Sequence, residues 1–289
     1  MTTDIAPVRR TRLLRTPAAG IVRHVLLIAA SIVMIYPLLW MLASSFRPND
    51  EIFSNPGIIP EGLDATNYLE GWNSLAHPFG RYLMNSAIVV LGCVLGNLLS
   101  CSLTAYAFAR INFRFRAPLF AVMLVTIMIP VHVIVVPQYI MFNQLGWVNT
   151  FVPLVLPKFL ATDAFFIFLM VQFIRSIPRE LDEAARVDGL GHIGIFFRII
   201  LPLMLPALAA TAIFTFINSW NEFFTALIYL TSPDMMTVPV ALRSFLDVTA
   251  GSSYGPMFAM SIVSLLPVFF IFLFGQKYLV RGISTTGLK

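Results

Sequence analysis

Long apolar runs separated by short polar clusters set the pattern of this chain. Six of them are long enough to cross a bilayer, which takes about 20 largely apolar residues: 24–46, 85–108, 118–141, 151–174, 199–230 and 257–279. The fifth is overlong and is expected to bend or to emerge early. In hydrocarbon, backbone N–H and C=O groups must be satisfied within the segment, so each run predicts a helix. The period-two alternation of a membrane β-barrel strand is missing. The first run exceeds the 7–15 residues of a signal-peptide core, and no small-residue cleavage site follows it, so a retained helix is expected. The pattern predicts an all-α integral membrane protein: a tail at 1–23, a six-helix domain at 24–280 and a second tail at 281–289.

Composition agrees with the pattern. The chain is 58% hydrophobic and 11% charged, with mean hydropathy +0.84, whereas soluble domains carry about 25% charged residues. A soluble fold this apolar would expose large patches and aggregate.

Charge placement gives the orientation, because Lys and Arg concentrate on the cytoplasmic side. Most of the 19 basic residues fall in four places. They are the N-terminal tail (Arg9, Arg10, Arg12, Arg15, Arg23), the connection after the second span (Arg110, Arg114, Arg116), the connection after the fourth (Arg175, Arg179, Arg186, Arg198) and the C-terminal tail (Lys277, Arg281, Lys289). Arg47, Arg81 and Arg243 fall on the other side, and Lys158 lies inside a span. Both termini are therefore expected in the cytoplasm of a multi-pass plasma-membrane protein. The net charge of +5 is a topology signal; without a basic soluble domain or interleaved aromatics it points to no nucleic acid. The acidic loop 47–82 is long enough to meet a partner outside the membrane.

Enzyme chemistry finds little support. Gly189-Leu-Gly191-His-Ile-Gly194 spells a dinucleotide fingerprint but is preceded by a helical segment rather than a strand. Gly251-Ser-Ser253-Tyr-Gly255 spells a nucleophile elbow without the strand–turn–helix that motif needs. No Walker loop is present, so ATP binding by that route is excluded. Cys93 and Cys101 lie two turns apart on one predicted helix, as buried thiols, and His24, His77, His132 and His192 have no ligand spacing. No catalytic residue, metal site or cofactor is assigned to this chain.

The segment 176–202 is the informative one. Pro178 suits a first helical turn, and Glu180, Asp182 and Glu183 complement the positive end of the helix dipole. Leu181, Ala184 and Ala185 are expected on one side at helical spacing, a shallow surface for another backbone. Gly189 suits a left-handed helix end, and Ile193, Phe196 and Phe197 follow, placed to lie against the membrane. A small helix–turn–helix parallel to the membrane, to be gripped from the cytoplasm, is the expectation for 176–198.

Here the chain resembles a family. Glu183-Ala184-Ala185, Asp188-Gly189, Ile199 and Leu201-Pro202 match, at the right spacing, the EAA motif of ABC-importer permeases. Asn85-Ser86, Ala105-Tyr106-Ala107-Phe108-Ala109-Arg110, Leu145-Gly146-Trp147-Val148-Asn149-Thr150, Trp220-Asn221-Glu222 and Lys277-Tyr278-Leu279-Val280-Arg281-Gly282 extend it along nearly the whole chain. Together they are similar to the MalG-like carbohydrate permeases; Leu190, where alanine is common, is a departure. The resemblance implies the type I importer fold, with Glu183, Ala184, Ala185, Asp188 and Gly189, flanked by Leu181, Phe196 and Phe197, as an ATPase-coupling segment. It also implies the partners: a second MalF-like permease, two ABC ATPase subunits that hold ATP and Mg, an extracytoplasmic sugar-binding protein, and membrane lipid. The implied function is import of a di- or oligosaccharide. Glycerol phosphate or a glycerophosphodiester is the alternative cargo, and an ion-coupled secondary transporter the distant alternative. The loop 232–256 resembles the one that reaches the binding protein.

Ionisable and polar groups inside spans are costly and commonly functional. Asn218, Trp220, Asn221, Glu222, Asp163 and His132 are therefore candidates for the cargo pathway. Lys158 and Asp163, five residues apart, do not form an ideal helical pair, and Lys158 is expected to snorkel outward. Gly92, Gly96, Ser100 and Thr104 form a small-residue stripe suited to helix packing.

Overall fold

The computed structural model describes residues 17–54, 57–59, 62–246 and 253–284, with side chains over 20–277. Residues 1–16, 285–289 and 247–252 of the loop 232–256 lie outside it, and with them Arg9, Arg10, Arg12, Arg15 and Lys289. Every regular element among the described residues is helical.

Helix α1 (Pro17–Ser44) carries the first span, almost wholly exposed along its apolar length, as suits a helix whose solvent is lipid. Two short helices, α2 (Glu51–Ser54) and α3 (Thr66–Asn73), follow it. The buried Asn67 amide donates to Ser45 O (3.1 Å) and Arg47 O (2.7 Å), tying α3 to the end of the first span.

The second span, α4 (Phe79–Arg110), is the axis of the bundle. Its 32 residues rise about 48 Å at 1.5 Å each, and α7 (Val152–Phe159), α8 (Ala164–Ser176) and α12 (Leu205–Trp220) pack around it. The small-residue stripe is where α7 (Val152–Phe159) approaches. A Cβ on Gly92 would sit 2.8 Å from Val155, and one on Gly96 2.8 Å from Phe159, while Ser100 Oγ donates to Lys158 O at 2.6 Å.

Three spans that read as continuous runs are broken. The third is α5 (Arg116–Thr126) and α6 (Val131–Gln144), bent by 99°. Pro130 has no N–H to offer and disfavours helix at the residue before it, so the chain turns there. The fourth divides into α7 and α8 (Ala164–Ser176), with Ala161 at φ +55° between them. On its return α9 (Glu180–Val187) leads to α10 (His192–Ile195), a π-helical stretch Phe196–Ile200 and α11 (Leu201–Leu203). The fifth span then bends by 74° into α12 (Leu205–Trp220), as expected of an overlong run with Pro206 in its new first turn. It stops at Asn221 and restarts as α13 (Phe224–Tyr229), so it both bends and ends early. α14 (Val238–Arg243) and α15 (Tyr254–Ser284) complete the chain. Among the described residues, four helical stretches are long and apolar enough to span, α7 and α8 taken together as one of them, or six when each bent pair counts as one.

At the end of α4 remote from α9, Asn85 Nδ2 donates to Asp234 O and Met236 O, both at 2.9 Å, and Ser86 Oγ accepts from Val238 N–H at 2.8 Å. Asn149, at φ +63°, accepts from the N–H groups of Thr231 (3.2 Å) and Ser232 (2.9 Å). These two asparagines hold the connection between α13 and α14 against the bundle.

Candidate functional site

Two places concentrate polar chemistry: the α9 hairpin at one end, and a cavity halfway along the bundle.

Helix α9 closes in a Schellman arrangement. Leu190 N–H donates to Ala185 O (2.9 Å) and Gly189 N–H to Arg186 O (3.0 Å), with Gly189 at φ +82°, the left-handed conformation glycine adopts without cost. Leu181, Glu183, Ala184 and Asp188 are all exposed. Ala185 is turned inward at 4% exposure, against the expectation that it shares the face with Leu181 and Ala184. Phe196 corrects another expectation. It is buried beside Tyr106, ring centroids 5.2 Å apart, while Phe197 and Ile193 remain exposed. The π-helical stretch that contains both phenylalanines shifts their facing relative to a regular helix.

What fixes α9 is a pair that sequence reasoning read as two unrelated signals. Arg110, the last residue of α4, places Nε 3.0 Å from Asp182 Oδ2, both side chains more than nine-tenths buried. It also donates Nη2–H to Ile177 O at 2.7 Å, on the linker into α9. In the sequence Arg110 is a topology charge and the last residue of the Ala105–Arg110 motif, and Asp182 a dipole complement; no local pattern joins them.

The cavity comprises two adjoining spaces of about 400 and about 330 Å³. Thr126, Lys158, Thr162, Asp163, Asn218 and Ser219 line both. Lys158 turns inward, contrary to the snorkelling expectation, and its Nζ lies 2.8 and 3.0 Å from the two oxygens of Asp163. The helix break at 160–163 makes this possible, since a continuous helix would separate these positions. Asn97, fully buried on α4, donates to Asp163 and to Thr215 Oγ1. Glu222 lines the second space, and its Oε1 accepts Thr225 N–H at 2.9 Å, capping α13.

The structure thus brings Asp163, Asn218 and Glu222 to one cavity and separates the other candidates from it. Trp220 points away: it is buried, stacked on Phe216 (5.7 Å), and donates its indole N–H to Ser264 O at 3.1 Å. Asn221 is exposed and donates back to Ile217 O. His132 lies against Phe224, ring centroids 4.6 Å apart, beside the lining residues and not among them. Asn97, Thr126, Lys158, Thr162 and Ser219 are among the lining residues that the sequence did not mark as candidates. Among the described residues no three of His, Cys, Asp and Glu converge as metal ligands. Cys93 and Cys101 are buried and unbridged in α4.

Residues 88–285 match the family described as binding-protein-dependent transport system inner membrane component. The arabinooligosaccharide transport permease AraQ of Halalkalibacterium halodurans is 35% identical over 261 residues, covering 89% of this chain and 92% of the relative. The trehalose/maltose transport permease MalG of Thermococcus litoralis is 32% identical over 273 residues, covering 93% and 98%. The diacetylchitobiose uptake permease NgcG of Streptomyces coelicolor is 32% identical over 264 residues, covering 91% and 87%. A crystal structure of a bacterial ABC transporter that imports the acidic polysaccharide alginate superimposes with TM-score 0.81 at 23% identity, over 96% of this chain and all of that one. The fold is therefore the all-α type I importer permease fold. The chain is a multi-pass membrane protein that belongs to the binding-protein-dependent transport system inner-membrane component family.

Proposed function

We propose that this chain is one membrane subunit of an ATP-driven importer that carries a di- or oligosaccharide across the plasma membrane. The observation that carries the reading is the cavity. Amide, hydroxyl and carboxylate groups of Asn218, Ser219, Thr162, Asp163 and Glu222 meet inside an otherwise apolar bundle, where such groups are costly unless they serve a solute or each other. Their mixture of donors and acceptors suits sugar hydroxyls. The sugar-transport names of the relatives above support the same cargo class.

In this reading α9, with Leu181, Glu183, Ala184 and Asp188 exposed, docks in a cleft of an ATPase subunit. ATP and Mg belong to that subunit, and two of them sit beneath this chain and a second, MalF-like permease. A sugar-binding protein meets the opposite end, near the segment held by Asn85 and Asn149. A solved alginate transporter in complex with a periplasmic protein holding an alginate pentasaccharide shares this fold, with TM-score 0.64 at 16% identity. Both termini are assigned to the cytoplasm from the basic residues at the α9 end. Closure of the ATPases would move α9 and exchange the bundle between two discrete states, each favoured by a different ligand.

The test is uptake with Glu183→Lys and Gly189→Asp at matched expression. Both variants are expected in the membrane, with sugar uptake lost. Normal uptake by both removes the docking assignment. Affinity capture of the tagged chain from native membranes should recover a second permease, an ATPase and a sugar-binding protein; repeated recovery of the chain alone in mild detergent overturns the importer reading.

A further inference from the structure

A second polar pocket lies apart from both sites, at the α9 end of the bundle, and has no part in the transport reading. Its volume is about 570 Å³. Phe108, Phe113, Phe115 and Phe120 supply its apolar walls, and Arg116 and Arg175 its cations. No Asp or Glu is among its lining residues. Arg175 lies over the Phe120 ring, 5.4 Å from the centroid. Arg116 is half-buried and spends one donor on a 3.4 Å contact with Ile111 O. A guanidinium has five N–H donors in a planar fork matched to phosphate, so this pair is under-used as it stands. Arg114, over Phe115 at 5.0 Å, adds a third positive charge alongside.

The helix that begins at this pocket supplies the other half of the evidence. No residue of α5 is buried, and Leu119, Val122 and Val125 are all at least half exposed. Cations at one end and a bare aliphatic face along the same helix make an amphiphilic surface. A soluble phosphate accounts for the cations alone; a phospholipid accounts for both. Basic pockets between spans on the side richest in Lys and Arg are suited to acidic headgroups.

We infer that the pocket between α4, α5 and α8 holds the phosphate of an anionic phospholipid on Arg116 and Arg175, with an acyl chain laid along Leu119, Val122 and Val125.

Native mass spectrometry of the purified full-length chain, after incubation with phosphatidylglycerol or phosphatidylcholine, tests this. Phosphatidylglycerol should stay bound preferentially. Arg116→Gln and Arg175→Gln should each lower its occupancy about fivefold, the weight of one near-surface arginine. Arg116→Lys with Arg175→Lys keeps the charge and should keep most of the lipid, which separates a lost site from a lost fold. Equal retention of the two lipids, or an equal loss with the basic control Arg23→Gln, overturns the inference. Competition of the bound lipid by inorganic phosphate, with no contribution from acyl chains, would replace it with a soluble anion.

Discussion

Two internal ion pairs among the described residues are built differently. Arg110 and Asp182 are sealed, with 3% and 9% of their side chains exposed, and they join the end of α4 to α9. Lys158 and Asp163 are open to the cavity, with 28% and 25% exposed, and they bridge a break within one span. A sealed pair has no water to replace a lost partner, whereas an open pair exchanges its partner for solvent or for a solute hydroxyl. The first is suited to holding α9 as a rigid handle, and the second to changing when the cavity changes. The family resemblance marks Glu183, Ala184, Ala185, Asp188 and Gly189, whereas the contact that ties α9 to α4 is made by Asp182.

Removing one member of the sealed pair gives the largest expected effect. Arg110→Ala leaves the Asp182 carboxylate buried and uncompensated, which costs about 3–5 kcal/mol. The thermal midpoint of the purified protein in detergent should fall sharply, and α9 should become protease-sensitive before the remainder of the chain. Replacing both partners with apolar residues, Arg110→Met with Asp182→Leu, should recover most of the midpoint, because paired apolar replacements of buried ions are often neutral. An unchanged midpoint in Arg110→Ala would show that the pair is not sealed in solution.

Between the two pairs stands the close approach of α7 to α4. Gly96→Leu forces a side chain into a gap already 2.8 Å from Phe159 at the Cβ position. Overpacking of this kind costs about 1–3 kcal/mol. It should also displace Lys158, whose backbone carbon lies 3.0 Å from that same position. Thermal unfolding measures the first effect. Altered reactivity of a cysteine placed at Thr162 measures the second, and unchanged reactivity would mean that α7 yields without moving the ion pair.

How much of this was legible in sequence follows from the range of each interaction. Apolar run length located the six spans because lipid demands it locally, and Gly189 announced its turn because few residues tolerate that backbone. The breaks were harder: Pro130, Pro157 and Pro206 were visible, but transmembrane helices accommodate proline when neighbours re-satisfy the backbone. Lys158 and Asp163 looked mismatched only on the assumption of an unbroken helix; Ala161 at φ +55° removes that assumption. Trp220 and Glu222 are two residues apart, yet α12 stops between them, and one enters the packing while the other faces the cavity. Arg110 ends the second span and Asp182 lies in the connection after the fourth, so no periodicity could pair them.

The smallest stability effect, and the most informative contrast, belongs to the open pair. Asp163→Asn removes the charge but keeps the shape and a partner for Asn97. A pair this exposed contributes about 1 kcal/mol or less, so the thermal midpoint should move far less than in Arg110→Ala. Under the proposed function transport should respond differently, because Asn97, Lys158 and Asp163 line the cavity assigned to the solute. A loss of about tenfold in uptake, within the usual range of coupling between linked sites, is expected at matched expression. Stability and uptake measured on the same preparations separate the two roles. If Asp163→Asn destabilises the fold as much as Arg110→Ala, both pairs are structural and the distinction between handle and gate is lost. A small shift in stability with impaired uptake leaves α4 as the rigid element between them, holding α9 through Arg110 at one end and steadying Asp163 through Asn97 near its middle.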